Sequence, residues 1–122
     1  MEFIPEGSPD CPLIRLSDTS MEDLSVLMGA WASLSRDIGV VISLAALPGM
    51  TAKDDCDVVC KSADESVGFQ QQSDHRFSCA LTRAAWENVR ERTQPFLRQQ
   101  AGYQWLLEKG AVSLLLAPSG RW

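Results

Sequence analysis

The stretch from Asp55 to Cys79, DCDVVCKSADESVGFQQQSDHRFSC, decides how the whole chain is read. It holds three of the four cysteines and the only histidine. Taken as ligands, Cys56, Cys60, His75 and Cys79 spell C-x3-C-x14-H-x3-C, and thiolates with an imidazole suit tetrahedral zinc. Taken as backbone, DVVC, VGFQQ and RFSCAL are three short strands separated by Ser, Asp and Gly, the pattern of an antiparallel meander. The first reading gives a small module organised by metal, the second a sheet with its own core.

The residues between the cysteines favour the sheet. Cys56 and Cys60 enclose Asp-Val-Val, which is β-branched and lacks glycine. In a strand, positions four apart share a face but lie about 13 Å apart, too far to share one ion or a disulfide. Cys79 falls inside RFSCAL, and small buried thiols are common in cores. The expectation is no metal and no cofactor, with a zinc module on Cys56, Cys60, His75 and Cys79 as the alternative. His75 reads as a loop residue paired with Asp74. A thiol enzyme using Cys79 with His75 is a weaker rival, because no signature surrounds that cysteine.

Outward toward the N-terminus, VVISLAALPG at 40–49 is apolar on both faces and stopped by Pro-Gly, which predicts a central strand. Before it, Met21, Leu24, Leu27, Met28, Trp31, Leu34 and Ile38 recur at steps of three and four, an amphipathic helix ending near Gly39. Ser17, Asp18, Thr19 and Ser20 offer N-caps, and Glu22 and Asp23 suit the positive end of the helix dipole. PLIRLS at 12–17 predicts a short strand, and residues 1–12 are expected to be poorly ordered.

Toward the C-terminus, Thr82 predicts the cap of a helix through Trp86, Val89 and Glu91. Pro95 restarts or kinks it, and Phe96, Leu97, Ala101, Trp105 and Leu106 predict a second helical stripe closed by Gly110. AVSLLLAPSG at 111–120 is a last buried strand. With 122 residues and 45% apolar content, the chain predicts a single α+β domain over 1–122, one mostly antiparallel sheet with helices packed on one face.

The net charge of −5 is unevenly placed. Residues 1–52 and 54–74 each carry −5, whereas 75–109 carries +3. An acidic chain repels phosphate backbones, so the reading excludes direct nucleic-acid binding and favours a basic protein partner. No basic start with an apolar centre marks an export signal, and no apolar run spans a bilayer, so a cytoplasmic, non-membrane protein is expected. There is no phosphate-binding glycine motif, no complete calcium loop and no acid–base pair, so the chain is not read as an enzyme. The candidate partner-binding residues are Asp54, Asp55, Asp57, Asp64 and Glu65, crowded in one segment, with Trp105 as an aromatic anchor and Trp122 raising the same choice.

Small size, acidic faces and the terminal stretch WLLEKGAVSLLLAPSGRW make the chain resemble bacterial immunity proteins that neutralise nuclease toxins, including those of contact-dependent inhibition. The resemblance is one of type and carries over no residue by position. It implies a tight complex in which acidic loops cover a basic, nucleic-acid-binding cleft. Phage-encoded inhibitors of bacterial defence nucleases share the same size and charge.

Overall fold

The computed structural model describes residues 1–4, 12–17, 19–98, 102–107 and 112–118. Asp18, Ala101, Gly110 and Trp122, singled out above, lie outside the described residues, as does the fourth cysteine, Cys11.

The chain folds as an α+β domain with two four-stranded sheets. The first is built from β1 (Glu2–Ile4), β2 (Leu13–Ser17), β7 (Gln104–Leu107) and β8 (Ser113–Ala117), in the order β1-β2-β8-β7. The second takes the middle of the chain, β3 (Val41–Ser43), β4 (Asp57–Ser62), β5 (Gly68–Ser73) and β6 (Arg76–Leu81), in the order β3-β4-β6-β5. Each sheet has a parallel central pair, β2 with β8 and β4 with β6, flanked by antiparallel edges. Antiparallel pairing therefore predominates as the sequence predicts, but in two sheets rather than one.

Helix α1 (Met21–Arg36) begins with a capping box. Asp23 donates its backbone N–H to Ser20 Oγ at 3.1 Å, and Ser20 N–H reaches Asp23 Oδ2 at 3.0 Å. Its buried stripe is Leu24, Leu27, Ala30, Trp31 and Leu34, the period read from the sequence. Helix α2 (Arg83–Thr93) is capped by Thr82, whose hydroxyl accepts from Ala85 N–H. The two helices meet at Trp31 and Trp86.

One continuous core joins both sheets to both helices. On the first sheet it takes Ile14 beside Leu114 and Leu16 beside Leu116, and on the second Val58 beside Phe77 and Cys60 beside Cys79. The outer face of the second sheet carries Lys61, Gln70 and Ser78, so its strands alternate as half-buried strands do. No described helix is long and apolar enough to cross a membrane.

Four expectations change. Residues 2–4, expected to be poorly ordered, form β1 and pair with β2. The predicted central strand at 40–49 is the short edge strand β3 followed by a 3-10 turn at Leu44–Ala46, with Val41 59% exposed. The meander is replaced by direct parallel pairing of β4 with β6, and β5 lies outside them.

The predicted second late helix is also absent among the described residues. Pro95 initiates a 3-10 turn at Gln94–Leu97, Gly102 turns the chain at φ +86°, and Trp105 and Leu106 then lie on β7. Pairing with β8 buries Leu106 in the core and gives β8 its second neighbour, which outweighs the helical spacing of these side chains.

Candidate functional site

Strand β4 divides the acidic segment. Six residues of strand span about 20 Å, so Asp54 and Asp55 stand before one end of β4 and Asp64 and Glu65 beyond the other. The five acids read as one patch therefore face different ends of the sheet.

At the first end, the backbone is stiff. Residues Lys53–Asp55 form a 3-10 turn closed by Cys56 N–H to the Lys53 carbonyl at 3.0 Å. Asp54 and Asp55 both adopt left-handed backbone, at φ 54° and 56°, a conformation that costs energy outside glycine and recurs at functional loops. Asp57 N–H donates to the His75 carbonyl at 2.9 Å, tying this turn to the β5–β6 hairpin. The two turns together border an open hollow of about 390 Å³, lined by Asp54, Asp55, Ser73, Asp74, His75 and Arg76. Among the described residues, Asp54, Asp55 and Asp74 carboxylates have no ion-pair or hydrogen-bond partner. His75 meets Phe3 edge-on at 6.2 Å, and Phe3 in turn packs on Phe77 at 4.7 Å, which anchors the hairpin turn to β1.

Beside the hollow, Glu2 is occupied. It accepts from Arg15 Nη2 at 2.9 Å and from Lys53 Nζ at 2.8 Å. The Lys53 bond, with the nearby Arg15 charge, holds the Glu2 carboxyl below its usual range despite partial burial. Glu2 thus offsets one of the two positive charges beside it, and with Arg76 as the one cation lining the hollow, the three aspartates leave that lining with an excess of negative charge.

Asp57 is not a displayed acid. Its carboxylate accepts from Ser43 Oγ at 2.8 and 3.0 Å and from Ala45 N–H at 3.0 Å, so it fastens the start of the 3-10 turn after β3 to β4. Trp105 is half-buried on β7 opposite Leu115, and its carbonyl accepts from Arg92 Nη1 at 3.1 Å. It belongs to the packing of the first sheet rather than to a helix surface.

The four thiol and imidazole candidates do not converge. Cys60 and Cys79 sit in register on neighbouring strands, Cys56 lies one strand-length back on the same face, and His75 is in the hairpin turn against Phe3. Among the described residues, no three His, Cys, Asp or Glu side chains could hold one ion. All three cysteines are free and buried. Burial pushes the Cys56 thiol up to about 11 and the Cys79 thiol up to about 12, and raises Cys60 well above the ordinary range. They are protonated at neutral pH and poor nucleophiles.

Asp74 and Arg76 were not singled out as binding residues by sequence. The available signal was the SDH turn between QQQS and RFSC, whose hairpin returns the chain to Asp54 and Asp55. Comparison with protein-family models, curated proteins and solved structures finds no match for this chain.

Proposed function

We propose that this chain is a non-enzymatic inhibitor of the immunity-protein kind, which binds a basic nuclease-type protein through the Asp54–Asp55–Asp74 end of its second sheet. The observation that carries the reading is the set of three unpartnered carboxylates around one open hollow, held by two hydrogen-bonded turns on a packed sheet. Three like charges around one hollow, only partly offset by Arg76, repel one another, and a cationic partner relieves the repulsion while the outward field accelerates its encounter. Asp64 and Glu65, exposed at the far end of β4, add to the steering field rather than to the contact. Protonated core thiols fit a reducing compartment, and the cytoplasm is where such an inhibitor protects its own cell.

The test is affinity capture from the protein's own host with two full-length baits in parallel, wild type and the Asp54→Asn/Asp55→Asn/Asp74→Asn variant, followed by association kinetics at several salt concentrations. A basic protein bound one-to-one by wild type, with slower and less salt-dependent association to the variant, supports the proposal. An acidic partner, or equal kinetics for both baits, overturns it.

A further inference from the structure

A second cleft, remote from the acidic hollow, has a different chemistry. It opens where β7, at the edge of the first sheet, approaches the β5–β6 side of the second, and α2 forms its third wall. Its volume is about 420 Å³, within the range of small-molecule sites. The deep part is apolar: Cys79, Leu81 and Leu106 are almost wholly shielded from solvent. Helix α2 contributes Ala85, Asn88 and Arg92, one helical face running from the apolar interior to the mouth.

Arg92 is the single charged residue among those lining the cleft. Its Nη1 donates to the Trp105 carbonyl at 3.1 Å, which fixes the guanidinium at the mouth, and its other donors have no partner among the described residues. The walls are also tied together. Ser66 Oγ accepts from Thr82 N–H at 3.0 Å at the start of α2, and Val67 N–H donates to the Ala80 carbonyl at 2.8 Å. A preformed apolar cavity with one fixed cation at its entrance is complementary to a molecule with an apolar body and one anionic end.

We propose that this cleft binds a monomeric amphiphile with a carboxylate head, a medium-chain fatty acid, whose head pairs with Arg92 and whose chain lies along Ala85, Leu81 and Leu106 toward Cys79. The site is independent of the acidic hollow, and its ligand leaves that hollow free.

The experiment is a two-dimensional amide NMR titration of the full chain with octanoate and, separately, with octan-1-ol, on wild type and Arg92→Gln. Arg92 is exposed, so the substitution leaves the core intact. The proposal expects saturable shifts at Gly68, Ala85 and Leu106, and none at Asp54 or Asp55. It also expects octanoate affinity to fall about tenfold or more in Arg92→Gln while octanol affinity stays within about twofold, as loss of a hydrogen bond to a charged group requires. Absence of saturable shifts at these three residues, or equal octanoate binding by wild type and Arg92→Gln, overturns it.

Discussion

Trp31 of α1 and Trp86 of α2 lie face to face, with ring centroids 5.6 Å apart and planes 9° from parallel. The two indoles are not equivalent. Trp86 Nε1–H donates to the Lys61 carbonyl at 2.9 Å, so this ring pins α2 to β4 as well as to α1. Trp31 Nε1 is buried with no hydrogen-bond partner among the described residues. Both substitutions to phenylalanine lose stacked area, but only Trp86→Phe also removes a hydrogen bond, the one to the Lys61 carbonyl of β4. Urea denaturation should show Trp86→Phe to be more destabilising than Trp31→Phe by about 1 kcal/mol or more. Equal losses would mean that the Lys61 bond contributes nothing.

The acids of the 54–57 segment should separate by stability. Asp57→Ala removes the acceptor of Ser43 Oγ and Ala45 N–H and should cost about 1–3 kcal/mol. Asp54→Asn and Asp55→Asn touch no partner among the described residues, and each should change stability by no more than about 0.5 kcal/mol. Thermal or chemical melts of the three single variants distinguish a structural carboxylate from displayed ones.

The buried thiols give the fold an alkaline limit. A thiol raised by burial stays neutral in the folded chain after the unfolded chain has begun to ionise near 9. The unfolded state then holds fewer protons, so stability falls with rising pH. The contribution is complete below about pH 9 and is lost progressively toward 12, the range bounded by the ordinary thiol and Cys79. Unfolding midpoints should decline across that window in wild type and decline less in Cys79→Ala. At pH 8 Cys56, Cys60 and Cys79 should react with a maleimide only slowly until denaturant is added, as peptide mapping of the labelled positions would show.

Gly49 and Gly39 make a matched pair of backbone tests. Both have positive φ, at 80° and 91°. A Cβ at Gly49 would overlap the Asp23 carboxylate, the group that closes the capping box of α1, whereas a Cβ at Gly39 meets nothing within 4 Å. Gly39→Ala should cost about 1 kcal/mol from backbone strain alone. Gly49→Ala should cost more, because it also displaces Asp23 and weakens the start of α1. Comparison of the two melts, with helix content from circular dichroism, checks this.

What the sequence revealed was local. The start of α1 was legible in Ser20 and the spacing of Leu24, Leu27, Trp31 and Leu34, and that of α2 in Thr82. β4 and β6 were legible in DVVC and RFSCAL because alternating β-branched and aromatic residues match the pleat. Residues 104–107 were not, because Trp105 and Leu106 extend a helical spacing from Phe96 and only pairing with β8 makes them a strand. The acidic patch misled for a related reason. Neighbours in sequence are separated by the length of β4, while Asp74 joins Asp54 and Asp55 through a hairpin that no spacing rule announces. Asp57 looks like its neighbours in sequence, and only its contact with Ser43, fourteen positions earlier, shows that its carboxylate is engaged rather than displayed.

The strands of the second sheet all fall between residues 41 and 81, and those of the first lie on either side of that interval. One sheet is therefore nested inside the other along the chain. On the ribosome, the inner sheet can assemble as soon as Leu81 has emerged, whereas β2, with Leu13 opposite Ser113, waits for β8. Until then Ile14 and Leu16 lack their neighbours Leu114 and Leu116, and a chain stalled or clipped before β8 presents β2 with an open edge. Synthesis of the last strand is thus the step that converts a sticky nascent chain into a closed domain.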